Sequence, residues 1–156
     1  MVLAAGASTR YGGVKQHDLL PAVLAALRET SVDEVVVVEG AHPLSVTGAR
    51  VVPCPNWEHG PGASLRCGLA ALGTDVGRAV IVLADGPELD PRAVDRLAAH
   101  DAPFAAASYD GTRDHPVALA RSAFADIPDE GLRVREPELV DCSDLRAPGD
   151  VDVRAT

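Results

Sequence analysis

Leu3-Ala4-Ala5-Gly6-Ala7-Ser8-Thr9-Arg10-Tyr11-Gly12-Gly13-Val14-Lys15 is the stretch that decides how this chain is read. A short apolar run passes through small residues into a loop with three glycines, with Arg10 and Lys15 as its cations. Glycines permit positive φ and carry no Cβ to hold a ligand off the main chain, so successive N–H groups are free to bond an anion. Lys15 is the only lysine in the chain, every other basic residue being arginine. A compact ammonium suits a point charge on phosphate. The Walker loop needs Gly-Lys-Ser/Thr and the dinucleotide fingerprint needs G-x-G-x-x-G, and neither spacing is present. A glycine-rich turn between a strand and a helix, with no ligand, is the plainer alternative.

Around this loop the 156 residues predict a single domain over 1–156, long enough for a real core. The apolar residues are mainly Ala, Val and Leu rather than aromatics, which suits an α/β layer fold. A formal charge of −9 argues against nucleic acid or an anionic membrane as partner, so phosphate binding has to come from a local cluster of cations. No apolar run reaches the ~20 residues needed to cross a bilayer, and no charged segment with a following apolar stretch opens the chain. Cys54, Cys67 and Cys142 form no C-x-x-C pair and cannot all pair, for which a reducing cytoplasm is the simplest account.

The pattern along the chain is strand, loop, helix, strand. Met1 to Ala5 makes a short first strand, either because the start lies upstream or because a clipped central strand is tolerated. Leu19, Leu20, Val23, Leu24 and Leu27 recur at helical spacing, with Pro21 expected in the first turn. Glu34 to Glu39 and Ala49 to Pro53 read as strands, Ser64 to Leu72 as a helix, and Arg78 to Ala84 as a central strand ending at Asp85. Asp90-Pro91 opens another helix. Pro103 to Tyr109 and His115 to Leu119 flank Asp110-Gly111 as a hairpin, and after a short helix from Ser122 to Asp126 a last strand runs from Glu138 to Cys142.

Several side chains carry two readings. Ser64 either offers its hydroxyl and the free N–H groups of its turn to a phosphate, or caps its helix. Asp85 is either a metal carboxylate at the ligand crevice of a parallel sheet, or a turn residue before Gly86-Pro87. Arg113 and His115 are either site residues or ordinary polar groups on a hairpin, and Asp152 lies in an acidic tail of the kind that is often only solvated.

The run L-A-A-G-x-x-x-R-x-G-x-x-K, from Leu3 to Lys15, resembles the signature loop of the MobA-like nucleotidyltransferases, including the molybdenum cofactor cytidylyltransferases. Leu83-Ala84-Asp85-Gly86-Pro87 resembles the family's Leu-Ala-Asp-x-Pro, and Gly111 to Val117 its G-x-R-G-H-P-V. Trp57, Gly60, Ser64, Leu65, Gly68 and Leu69 match the run found in the cytidylyltransferase branch. The resemblance implies a Rossmann-like three-layer αβα fold with a mostly parallel sheet, of the nucleotide-diphospho-sugar transferase type. It further implies an NTP substrate, CTP preferred over GTP, and transfer of the nucleotidyl unit to a phosphorylated acceptor such as molybdopterin cofactor. Arg10, Lys15 and Asp85 are then catalytic. Leu3, Ala4, Ala5, Gly6, Ser8, Gly12, Gly13, Lys15, Gly60 and Ser64 are expected at the nucleotide, Arg113 and His115 at the acceptor, and Asp85 with Asp152 at Mg²⁺. A cytoplasmic location and a molybdoenzyme partner complete the expectation.

The chain also departs from the pattern. The segment after Lys15 is short, Cys54 replaces an Asn, Asp114 a Gly and Val153 a Thr. Two alternatives therefore stand: a non-catalytic nucleotide-binding accessory protein, and a sugar-phosphate nucleotidyltransferase.

Overall fold

The computed structural model describes residues 1–152. Seven strands form one sheet in the order β3-β2-β1-β4-β6-β5-β7. They are β1 (Val2–Ala4), β2 (Val36–Glu39), β3 (Arg50–Pro53), β4 (Arg78–Leu83), β5 (Phe104–Tyr109), β6 (Thr112–Ala120) and β7 (Glu138–Asp141). β1 pairs in parallel with β2 on one side and β4 on the other, and β3 and β7 also join in parallel. β6 alone runs against its neighbours β4 and β5. Its direction follows from the hairpin: Asp110 and Gly111 both take positive φ, 52° and 82°, the turn whose twist matches two paired strands. The expected mostly parallel α/β sheet is what forms.

Alternate residues of β4 feed two cores. Val80 and Val82 pack with Leu20, Val23, Leu24 and Leu27 of α1 (Lys15–Arg28) and Val94 and Leu97 of α3 (Pro91–Ala99). Ala79 and Ile81 face Leu65 and Leu69 of α2 (Pro61–Ala70) on the opposite side. Helices therefore cover both faces, which is the three-layer arrangement. Gly68 lets α2 lie close to the sheet, since a Cβ there would stand 2.5 Å from the Met1 sulfur and 2.8 Å from Val38.

Two helices begin earlier than periodicity suggests. α1 starts at Lys15, so Pro21 lies in its second turn rather than its first; it sits on the exposed face and removes the donor to the carbonyl four residues back. α2 starts at Pro61, a residue preset for the first helical position, and this puts Ser64 inside the first turn rather than ahead of it. The helix expected from Ser122 to Asp126 is a 3₁₀ turn, Arg121–Ala123, and β6 begins three residues before His115. Asp90 caps α3 as expected, its carboxylate accepting from the Arg92 backbone N–H at 2.9 Å.

The glycine loop is laced to α1 by one buried polar residue. Gln16, 3 % exposed, donates from Nε2 to the Gly6 carbonyl at 2.8 Å and accepts the Ser8 hydroxyl at 2.7 Å. Ser8, itself at φ 57°, accepts the Lys15 backbone N–H at 3.3 Å, and so supplies the cap that Val14 cannot. Tyr11 is buried and bonds Asp18 of α1 at 3.1 Å, while His42 Nε2 lies 3.0 Å from the Ala7 carbonyl oxygen. The loop is thus held at both ends before any ligand arrives.

Cys54 and Cys67 are disulfide-bonded, with Cα atoms 5.7 Å apart, where a reducing compartment alone would leave thiols; Cys142 is buried and free. Among the described residues no helix is long and apolar enough to cross a membrane.

Two stability effects follow from these contacts. Gln16→Ala leaves the Gly6 carbonyl and the Ser8 hydroxyl without their buried partner, so denaturant unfolding should show a loss of about 1–3 kcal/mol. Asp90→Ala should cost about 0.5–2 kcal/mol as a lost N-cap. The Arg92 hydrogen bonds hold the Asp90 carboxyl below its ordinary 3.8, so its contribution is present above that value and is lost as pH falls through the folded-state pKa. The gap between wild type and Asp90→Ala in thermal unfolding should accordingly close in acid.

Candidate active site

A cavity of about 420 Å³ opens at the C-terminal ends of β1 and β4. This is the crevice where an open α/β sheet splits its connections to opposite faces and binds ligands. Its floor is Leu3, Ala4 and Ala5 of β1 and its exit, with Leu83 and Ala84 of β4. Gly6, Ser8 and Arg10 of the glycine loop form one side, and Trp57, Gly60, Pro61 and Ser64 the other.

Four charged side chains meet across the mouth. Lys15 Nζ lies 2.8 Å from Asp85 Oδ2 and 3.6 Å from Asp152 Oδ1, and Arg10 reaches Asp152 at 3.6 Å. Lys15 stands at the start of α1 and Asp85 follows the end of β4, so two different elements bring them together. Asp152 arrives through the tail, because Val151 donates its N–H to the Asp85 carbonyl and Glu88 donates to Pro148, tying residues 148–151 to the β4–α3 connection. Burial acts against the Lys15 ammonium, but the Asp85 hydrogen bond and the charges of Asp85, Asp150 and Asp152 outweigh it and raise its pKa. Asp150 shows the opposite strain: burial, then the negative charges of Asp85 and Asp152, push its carboxyl up.

The Trp57 side depends on close approaches that only glycine allows. A Cβ on Gly40 would stand 2.7 Å from both the Ala5 carbonyl oxygen and the Trp57 side chain, so Gly40 is what lets Trp57 lie against the exit of β1. Gly62 donates its N–H to the Asp129 carbonyl at 2.9 Å, and Arg66 bonds the Ile127 carbonyl and the Asp129 carboxylate. The 127–129 segment therefore covers part of the first turn of α2. Ser64, 5 % exposed, remains at the cavity wall.

Not every expected residue gathers here. Gly12 and Gly13 are exposed on the outer bend of the loop, Gly12 at φ 78°, and do not line the cavity. Arg113 and His115 line a second cavity of about 470 Å³, which shares Leu3, Pro61 and Leu83 with the first and so adjoins it. The Arg113 guanidinium is already engaged, donating to the Leu132 and Arg135 carbonyls at 2.9 and 2.8 Å and stacking over Phe104. It shapes that cavity by fixing its outer wall. His115 sits where the β5–β6 register slips, leaving His115 and Pro116 unpaired. Hydrogen bonding from His115 holds the Asp114 carboxyl below the usual range, which keeps a negative charge at the same mouth. Val153 lies outside the described residues.

Gln16, Tyr11 and Asp150 belong to this arrangement and were not expected from sequence. For Gln16 a signal existed: it precedes Leu20, Val23, Leu24 and Leu27 on the inward face of α1, where a polar residue needs a buried partner. Among the described residues no group of three or more His, Cys, Asp or Glu side chains stands ready to hold a metal unaided.

Comparison with known proteins bears on the fold and the family. Rv0371c from Mycobacterium tuberculosis H37Rv is 26 % identical with a TM-score of 0.79, over 97 % of this chain and 90 % of that one. A structure of Rv0371c in complex with manganese gives 22 % and 0.72, over 90 % and 85 %. The 2-C-methyl-D-erythritol 4-phosphate cytidylyltransferase of Thermus thermophilus shares the fold at 23 % identity and a TM-score of 0.52, over 76 % and 68 %. No curated protein sequence matches the chain. The MobA-like NTP transferase domain matches residues 1–136, and the chain belongs to that family of nucleotidyltransferases.

Proposed function

We propose that the chain transfers a cytidylyl unit from CTP to a phosphorylated small-molecule acceptor, releasing pyrophosphate, and that molybdopterin cofactor is such an acceptor. The observation that carries this reading is the meeting of Lys15, Asp85 and Asp152 at one mouth beside a preformed glycine loop. An accessory protein that only held a nucleotide would have no use for two carboxylates turned onto the triphosphate lysine. A cytosolic setting and a molybdoenzyme partner belong to the same reading.

In this transfer an oxygen of the acceptor phosphate attacks the α-phosphorus of the nucleotide and the bond to the β-phosphate oxygen breaks. No strong base is required, because the attacking oxygen is already anionic. What the protein supplies is alignment and charge. The N–H groups of the Gly6-to-Ser8 bend, with Arg10 and Lys15, hold the triphosphate. Lys15 turns from Asp85 to the phosphates on a four-carbon stem and offsets the charge that develops on the leaving pyrophosphate. Trp57, Gly60 and Ser64 close the nucleoside side and keep water from the α-phosphorus. The second cavity, adjoining at Leu3, Pro61 and Leu83, receives the acceptor, with His115 at its rim.

The donor set fits a hard divalent cation. Two carboxylates, Asp85 and Asp152, stand within reach of one ammonium at the cavity mouth. Mg²⁺ is held by one or two carboxylates together with substrate phosphates rather than by an all-protein cage, which suits a site with no third ready ligand among the described residues. Bound there, it would neutralise phosphate charge and orient the α-phosphate.

Calorimetric titration tests the reading. With Mg²⁺ present, CTP should bind more tightly than GTP. Lys15→Ala should weaken CTP by roughly 10- to 100-fold, as expected for losing a charge-assisted bond of about 1.5–3 kcal/mol. Asp85→Asn should remove the dependence on Mg²⁺ while leaving the protein folded. Equal heats for CTP with and without Mg²⁺, unchanged in both variants, would rule the site out.

A further inference from the structure

The Cys54–Cys67 disulfide closes the segment that forms one whole wall of the cleft. Trp57, Gly60, Pro61 and Ser64 line the cavity, and all four lie between the two cysteines, 13 residues apart in sequence. The two anchor points differ in kind. Cys54 follows β3, is 2 % exposed, and donates its backbone N–H to the Glu39 carbonyl at 2.8 Å. Cys67 is partly exposed on α2. Asn56 Oδ1, one residue before Trp57, lies 3.2 Å from the Cys54 sulfur and 3.4 Å from the Cys67 sulfur, and the Ala63 carbonyl oxygen lies 3.4 Å from Cys54. Two thiols released at this place have acceptors waiting.

A cross-link restricts the segment it closes, whereas thiol hydrogen bonds are weak. Breaking the bond therefore exchanges a covalent tie across the Trp57 turn for weak contacts without disturbing the sheet beneath. Disulfides in reducing compartments are mostly transient and redox-sensing rather than structural. We propose that Cys54 and Cys67 are a reversible thiol–disulfide couple that sets the Trp57 wall of the cleft, held in place when oxidised and loosened when reduced. Its consequence for nucleotide binding rests on the function proposed above.

The exchange is balanced as follows. A small-molecule thiolate attacks the accessible Cys67 sulfur, the bond to Cys54 breaks, and the Cys54 thiolate leaves and takes a proton from water. A second thiolate then displaces Cys67 from the mixed disulfide, so that the protein gains two electrons and two protons and the small thiols become a disulfide. Oxidation by a small-molecule disulfide runs the same steps in reverse.

Trp57 is the chain's single tryptophan, so its fluorescence reads the wall directly, without any nucleotide. The experiment compares acrylamide quenching of the full chain in three states: oxidised, reduced with dithiothreitol, and reoxidised with oxidised dithiothreitol. Thiols are counted in each after denaturation. One thiol is expected in the oxidised protein, from Cys142, and three in the reduced one. Quenching should rise on reduction, return on reoxidation, and stay high in Cys67→Ser under oxidant. Because Cys54 is buried, Cys67→Ser is the variant that keeps the test independent of folding. Mg²⁺ and CTP titrated in parallel should bind about two- to tenfold more weakly in the reduced state, the cost of ordering one such side chain. Equal quenching in the two states, a pair that does not reform, or equal CTP affinity in both states overturns the proposal. Quenching that follows redox state while neither state binds CTP upholds the Trp57 switch and removes the cytidylyl reading instead.

Discussion

The arrangement turns on a single ion pair, Lys15 with Asp85 at 2.8 Å. One partner begins the first helix and the other follows the end of the fourth strand, so the pair depends on β1 and β4 being neighbours and on the glycine loop turning back over β1. Everything nearby serves that closure. Gln16 and Ser8 hold the loop, Tyr11 fastens its outer part to α1, and the tail crosses the end of β4 to add Asp152. Without a ligand the ammonium satisfies the carboxylates, which lets a cluster of like charges exist in a protein of net charge −9.

The same pair explains how an acidic chain can receive a polyanion. Lys15 and Arg10 both face carboxylates at rest. On the function proposed above, a triphosphate bringing its own divalent cation would exchange partners with them, its phosphates meeting the Lys15 ammonium while Asp85 and Asp152 would hold the cation. Charge would be conserved across that exchange, so binding would avoid the desolvation penalty of an unpaired buried charge. The oxidised Cys54–Cys67 link then bears on the opposite wall, where the nucleoside rather than the phosphate would lie.

Much of this was legible in the sequence, because local rules and tertiary structure agree. The loop from Leu3 to Lys15, the strand ending at Asp85 and the Asp110-Gly111 hairpin all declare themselves through residues with few conformational alternatives. Their placement follows from strand order, and Asp85 reaches the cleft as expected. Other features depend on contacts that no spacing reports. Arg113 reads as a ligand-facing cation, yet the carbonyls of Leu132 and Arg135, 19 and 22 residues on, take its donors. Cys54 and Cys67 meet only because β3 and α2 are brought together by the sheet. The early start of α2 was signalled by Pro61 after Gly60, and the apolar period beginning at Leu65 obscured it.

The proposed chemistry depends most directly on where a nucleotide and a metal sit together. A crystal structure of the protein grown with CTP and Mn²⁺ would settle it. The predicted result is one metal bound by Asp85 and Asp152, the triphosphate along the Gly6-to-Lys15 loop with Lys15 turned away from Asp85, and the base against Trp57. Metal density elsewhere, or a nucleotide bound with the Lys15–Asp85 pair still closed, would contradict it.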